Sequence, residues 1–196
     1  MSTNWYLYSF DESLWNSIFG SGAPEHVKAL SAFLTDEQNF DFEDPEVAEE
    51  VARKLISHGF NAEQFDDEEV EIVECVPSAV VHSGDTLSVD AKAESPEGTT
   101  WQMLQELMRR AEGRVESKMI RLLSNGRSLL GPDYEDAEYV ILSPDEVRSL
   151  RAELEQIVGL DAEWSHPDFA PYIQNELVAP IQSIAATGRA LAVMIG

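Results

Sequence analysis

Apolar positions along the chain change their spacing several times, and each change marks an element. "WYLYSF", residues 5–10, is aromatic and free of helix breakers, which predicts a strand. Asp11 stands where a helix N-cap belongs, ahead of Leu14, Trp15, Ile18 and Phe19 at helical spacing, and Gly20 and Gly22 close that short helix. A second helix opens at Pro24 and buries Val27, Leu30 and Leu34. The third, "DPEVAEEVARKLISHGF", is better marked. Asp44 can cap orphan N–H groups, and Pro45 suits the first helical position. Val47, Val51 and Leu55 repeat every four residues, Glu49–Arg53 and Glu50–Lys54 pair on the opposite face, and Gly59 ends the helix in the left-handed conformation.

Beyond it the pattern shifts. "VEIVECVPSAVV", residues 70–81, is β-branched and apolar, which predicts one or two strands, with Pro77 at an edge or a break. "DAKAESPEGTT", residues 90–100, has loop composition. A helix then starts near Thr100 with Trp101, Leu104, Leu107 and Met108 on one side, Trp101 and the earlier Trp15 both being expected in the core. Gly113 interrupts it before Val115, Met119, Leu122 and Leu123 resume the spacing. "YVILSPDEVRSLRAELEQIVGL" writes a strand at 139–142 and then a helix. Ser143 and Glu146 form a capping box around Pro144; Val147, Leu150, Leu154 and Ile157 make the buried stripe, and Gly159 stops it. A last helix over about 168–187 buries Phe169, Tyr172, Ile173, Leu177, Ile181 and Ile184 and kinks at Pro180. Gly188 closes it, and "ALAVMI" forms a final strand. No repeat is visible. The expectation is a single α+β domain over residues 1–196, with a small mixed sheet whose N- and C-terminal strands are flanked by several helices.

Charge changes this picture more than composition does. The 43% hydrophobic and 26% charged content are ordinary for a soluble globular protein, but the net charge of −24 is not. Residues 36–74 carry fifteen acidic side chains against two basic ones, whereas residues 99–127 are net positive by three. Such a balance opposes nucleic acid and anionic lipid, whose phosphates would repel it. A basic protein partner is its natural complement, and long-range attraction would speed the encounter. Solubility, or adaptation to high salt, is the plainer use of the same charge.

The acidity peaks in "FDDEEVEIVEC", residues 65–75, with six carboxylates and no Lys or Arg between them. The run lacks the alternating ligands, central Gly and terminal Glu of an EF-hand. It reads either as a solvated stretch or as a surface for a cationic partner, with Asp66, Asp67, Glu68, Glu69 and Glu71 as its candidate contacts. Trp164 and His166, in the loop "EWSHPDF", are a further candidate pair. His26, His58, His82 and His166 are never three or four residues apart, so no metal or cofactor is expected from them. His58 suits a helix C-terminus. "VHSGDTL" holds His82, Ser83 and Asp85, but adjacency in sequence does not make a triad, and Gly84 marks a turn. Cys75, the one cysteine, excludes a disulfide framework and reads as a buried inert thiol. The opening residues lack the features of a signal peptide, and "ALAVMI" is far too short to span a bilayer, so a cytoplasmic location is expected.

"TTWQMLQELM", "LLGPDYEDAEYVILSPDEVRSLRAEL" and the terminal "ATGRALAVMI" together resemble the YfbM-like bacterial proteins of unknown function. The resemblance covers residues 99–196 well and the first 98 in outline. It implies a small α+β domain, of a kind often encoded near toxin and immunity genes, and it supplies no catalytic residues. The expected function is that of a noncatalytic acidic binding protein, such as an immunity protein neutralising a basic toxin or effector. A small enzyme using carboxylates as acid and base, and a DNA mimic, are the alternatives.

Overall fold

The computed structural model of the chain describes residues 5–36, 45–82, 90–94, 100–131, 139–161 and 163–195. The fold is α+β. Contacts group the chain into two compact units, one containing the sheet (residues 1–10, 90–127 and 136–196) and one helical (residues 11–89 and 128–135).

In the sheet unit, β1 (Trp5–Phe10) lies antiparallel to β4 (Ala190–Ile195), with Trp5 opposite Ile195 and Phe10 opposite Ala190. β3 (Tyr139–Leu142) pairs with the other side of β4, and β2 (Asp90–Glu94) pairs with β1. The order is β2-β1-β4-β3. All three pairings are antiparallel, so the expected mixed sheet is corrected in this respect; a strand's apolar pattern carries no information about its neighbour's direction. The residues of β2 were expected in a loop. Asp, Ala, Lys and Glu have little strand propensity, and β1 imposes the strand through its free edge, with a register shift between Leu7 and Tyr8.

The core of this unit is one cluster. Leu7, Val140, Leu142, Leu191 and Val193 of the sheet meet Met103, Leu104 and Leu107 of α5 (Thr100–Ala111) and Ile120 and Leu123 of α6 (Lys118–Asn125). The four predicted stripe residues of α7 (Pro144–Val158) join them, fully buried. Trp101 does not. It is 52% exposed, because α5 turns Met103, Leu104 and Leu107 inward and leaves its first turn outside the cluster. The last helix runs as α8 (Phe169–Ile173), a wide π turn at Gln174–Val178, and α9 (Ala179–Thr187). Pro180 has no N–H to return to the preceding turn, and the widened turn lies directly before it. Gly188, at φ 67°, ends α9 as expected.

The helical unit holds α1 (Glu12–Ile18), α2 (Pro24–Leu34), α3 (Pro45–His58) and α4 (Asp67–His82). Asp11 caps α1, accepting the Ser13 and Leu14 N–H groups. Trp15 is buried and lies parallel to Phe60, with ring centroids 5.7 Å apart. Gly20 and Gly22, both at positive φ, donate their N–H groups to the carbonyls of Leu55 and Ile56 at 3.1 and 2.7 Å, tying the turn after α1 to the end of α3. The strands expected over residues 70–81 are overturned: this stretch is the body of α4. Its buried positions, Glu69, Ile72, Val73 and Val76, fall at helical intervals, and that spacing outweighs the β-branched composition. Pro77 sits inside the helix, which continues to His82.

Candidate functional site

The acidic run forms the start of α4, and its carboxylates have unlike roles. Asp66 accepts the Glu69 N–H at 3.0 Å, while the Glu69 carboxylate accepts the Asp66 N–H at 3.0 Å. This reciprocal exchange is a capping box, in which two orphan donors of the first turn are satisfied. Glu69 is only 5% exposed, and Lys54 of α3 donates to both of its oxygens at 2.6 Å. Lys54 was expected to pair with Glu50. A buried carboxylate costs more to leave alone than an exposed one, so Lys54 goes to Glu69, and Glu50 pairs with Arg53 instead. The Glu49–Arg53 pairing is corrected by the same contact.

Glu69 is therefore withdrawn from the candidate partner surface. Asp66 is exposed but committed to its cap. Asp67, Glu68 and Glu71 are exposed and pair with no cation among the described residues. Glu74 is half-buried and accepts the Ser128 hydroxyl. Cys75 is half-buried rather than buried, with its Sγ 3.4 Å from the Glu71 carbonyl oxygen.

In the sheet unit, the loop holding Trp164 and His166 is fastened to α5 by three residues that sequence reasoning missed. Glu106, 3% exposed, accepts two bonds from Arg109, at 3.0 and 2.6 Å, and two from Ser165, through its N–H at 3.1 Å and its hydroxyl at 2.5 Å. Arg109 also donates to the Glu163 carbonyl at 2.6 Å. Burial alone would raise the Glu106 pKa. The hydrogen bonds from Arg109 and Ser165 outweigh it and hold the carboxyl at about 2. Arg110, 1% exposed, donates to the carbonyls of Ile157, Val158 and Leu160, and its guanidinium lies 3.9 Å from the centre of the Trp164 ring. Burial pushes the Arg110 pKa down.

Trp164 thus covers a buried guanidinium, while His166 lies exposed with its Nδ1 3.5 Å from Asp168. The signal for this cluster was a charged residue on an apolar face, since Arg110 follows Leu107 by three positions on the inward side of α5. Its partners lie about fifty residues away in sequence, and periodicity does not reveal them.

Two further anchors shape the same unit. Glu153 of α7 accepts the N–H groups of Met119 and Ile120 at 2.9–3.2 Å, so it fills the N-terminus of α6. Arg127 donates to both oxygens of Glu146 and to the Ile141 carbonyl, and the Arg127 hydrogen bond is the main reason the Glu146 pKa falls to about 2.

Of the histidines, His58 ends α3 as expected and is exposed, and His26 lies 3.2 Å from the Ser21 hydroxyl. Ser83 and Asp85, which follow His82, lie outside the described residues. Among the described residues, no group of three or more His, Cys, Asp or Glu could hold a metal ion, and no helix is long and apolar enough to cross a membrane. Comparisons with protein-family models, with curated proteins and with solved structures give no match to this chain.

Proposed function

We propose that this chain is a noncatalytic acidic binding protein whose α4 N-terminal turn receives a basic protein partner, in the manner of an immunity protein covering a basic toxin or effector. The observation that carries this reading is the division of labour in the acidic run. Glu69 takes Lys54, while Asp67, Glu68 and Glu71 face solvent without a cation among the described residues. These charges stand in a segment of net −13 within a chain of net −24, which would draw a basic partner from a distance. The implied neighbourhood of YfbM-like genes agrees with this role. The acid–base enzyme alternative gains little from Glu106, because a carboxyl held at about 2 stays ionised at neutral pH and is a poor proton donor.

The test begins with affinity capture from the native cell, followed by association kinetics with the basic protein recovered. Asp67→Asn, Glu68→Gln and Glu71→Gln together should slow association several-fold and flatten its dependence on salt, since exposed charges act mainly on the on-rate. The far-ultraviolet circular dichroism should not change. Unchanged kinetics in the triple variant, or capture of acidic proteins only, would refute the reading.

A further inference from the structure

Most described cations of this chain are committed. Arg53, Lys54, Arg109, Arg127, Arg148 and Arg151 pair with carboxylates, and Arg110 is spent on carbonyls. Lys28, Arg114, Lys118 and Arg121 differ: all four are exposed, and none pairs with a carboxylate among the described residues, but only the last three stand close together in sequence. Those three follow one another at intervals of four and three residues, at and just before the start of α6. Along this stretch runs an open groove of about 480 Å³. Val115 and Leu122, both half-buried, give it an apolar floor, and Lys118, Arg121 and Asn125 stand along it.

The N–H groups that open α6 are already taken by Glu153, so recognition of an anion falls to these side chains. The Arg121 Nε lies 3.3 Å from the Ser117 Oγ, to which it donates, and this uses one of the guanidinium's five N–H donors.

We infer that this groove binds an acidic peptide segment carrying an apolar side chain between its carboxylates. Charge complementarity selects the occupant: a cationic rim over an aliphatic floor suits alternating Glu and Leu better than a uniformly charged strand. A nucleic acid is disfavoured, because three cations on a chain of net −24 leave most phosphates unpaired. An enclosed small-molecule site would need walls that this open groove lacks. Glu116, also on the rim, limits the carboxylates the groove accepts. The inference shares no residue with the acidic surface of α4, so either can fail alone.

The test uses the full chain and fluorescein-labelled synthetic peptides, read by fluorescence anisotropy. A peptide alternating Glu with Leu should bind saturably, with a Kd on the order of 0.1 mM. Replacing its Leu by Gln should weaken binding several-fold, and replacing its Glu by Lys should abolish it. Lys118→Gln with Arg121→Gln should weaken binding of the first peptide about tenfold while leaving the circular dichroism unchanged, since both side chains are exposed. Absence of saturable binding, or equal binding by the double variant, would overturn the inference. A single-stranded oligonucleotide that displaced the peptide from the same residues would overturn it too, assigning the groove to nucleic acid.

Discussion

At the start of α7, Ser143 accepts the Glu146 N–H and Glu146 accepts the Ser143 N–H; at the start of α4, Asp66 and Glu69 make the same exchange. In both helices the Glu is then gripped by a cation from earlier in the chain, Arg127 for Glu146 and Lys54 for Glu69. The two differ in burial and in the kind of cation. The Glu146 side chain is 33% exposed and meets a planar guanidinium, which also reaches the Ile141 carbonyl and so ties β3 to the turn into α7. The Glu69 side chain is 6% exposed and meets a single ammonium, itself 27% exposed. One box fastens a strand-to-helix turn at the surface. The other puts a charge inside, and Lys54 is the cation that balances it. The same local device therefore has unequal consequences when broken, because water can replace Arg127 more easily than it can replace Lys54.

Between the two boxes the larger effect is expected from Glu69→Ala, which removes a cap and strands a half-buried Lys54. It should cost about 3 kcal/mol in urea unfolding. Glu146→Ala should cost about 2 kcal/mol, because the freed Arg127 is better solvated. A Glu146→Ala loss equal to or larger than that of Glu69→Ala would reverse the comparison.

These two helix starts were not equally legible. In Ser-Pro-Asp-Glu, each residue type has one evident job, and the capping box at residue 143 reads directly from the sequence. In Asp-Asp-Glu-Glu the same spacing of three is hidden among identical charges, so the run reads as a solvated patch. The β-branched stretch after it then reads as strand, although positions 69, 72, 73 and 76 already lay on one helical face. The strands at 5–10, 139–142 and 190–195 were legible because their own side chains fill the sheet. β2 was not, since its strand character comes from pairing with β1 rather than from its side chains. Nor was the Glu106–Arg109–Arg110 cluster, whose partners belong to distant residues of the 157–165 stretch.

Acid separates the contributions further. Glu106 and Glu146 are both held at about 2 in the folded chain, well below the ordinary carboxylate range. Their depressed folded pKa values mean that the unfolded chain takes up protons first. The stability they confer is therefore fully present above about pH 4.5 and is lost as pH falls toward 2. For Glu106, whose side chain is nearly inaccessible, this should be on the order of 3 kcal/mol. Glu106→Gln should lower stability at pH 7 and flatten the loss between pH 4.5 and 2. A variant whose acid curve has the parent's slope would show that Glu106 is not held by Arg109 and Ser165.

A smaller effect isolates the caps from their cations. Asp66→Ala and Ser143→Ala each remove an acceptor from one N–H while leaving the Glu–cation pair in place, and each should cost about 1 kcal/mol in thermal or urea unfolding. A strand beginning at residue 67 would have no use for Asp66, so a loss below about 0.3 kcal/mol there would argue against the helical start of α4.

The smallest expected change is at Asp67 and Glu68, and two opposing terms set it. Both side chains stand in the first turn of α4, where the unpaired N–H groups favour negative charge by about 0.3–1 kcal/mol each. Both are also exposed neighbours of Asp66 and Glu71, in a segment of net −13, where like charges repel by comparable amounts. Asp67→Asn with Glu68→Gln should accordingly change stability by no more than about 0.5 kcal/mol. Salt screens charge–charge repulsion across this spacing more than it screens contact with the adjacent N–H groups, because the Debye length falls to about 3 Å at 1 M. The parent should therefore gain slightly more from added NaCl than the double variant does. A loss above 1 kcal/mol would mean that these carboxylates are tied into the fold as Glu69 is, and would remove them from any surface open to a partner.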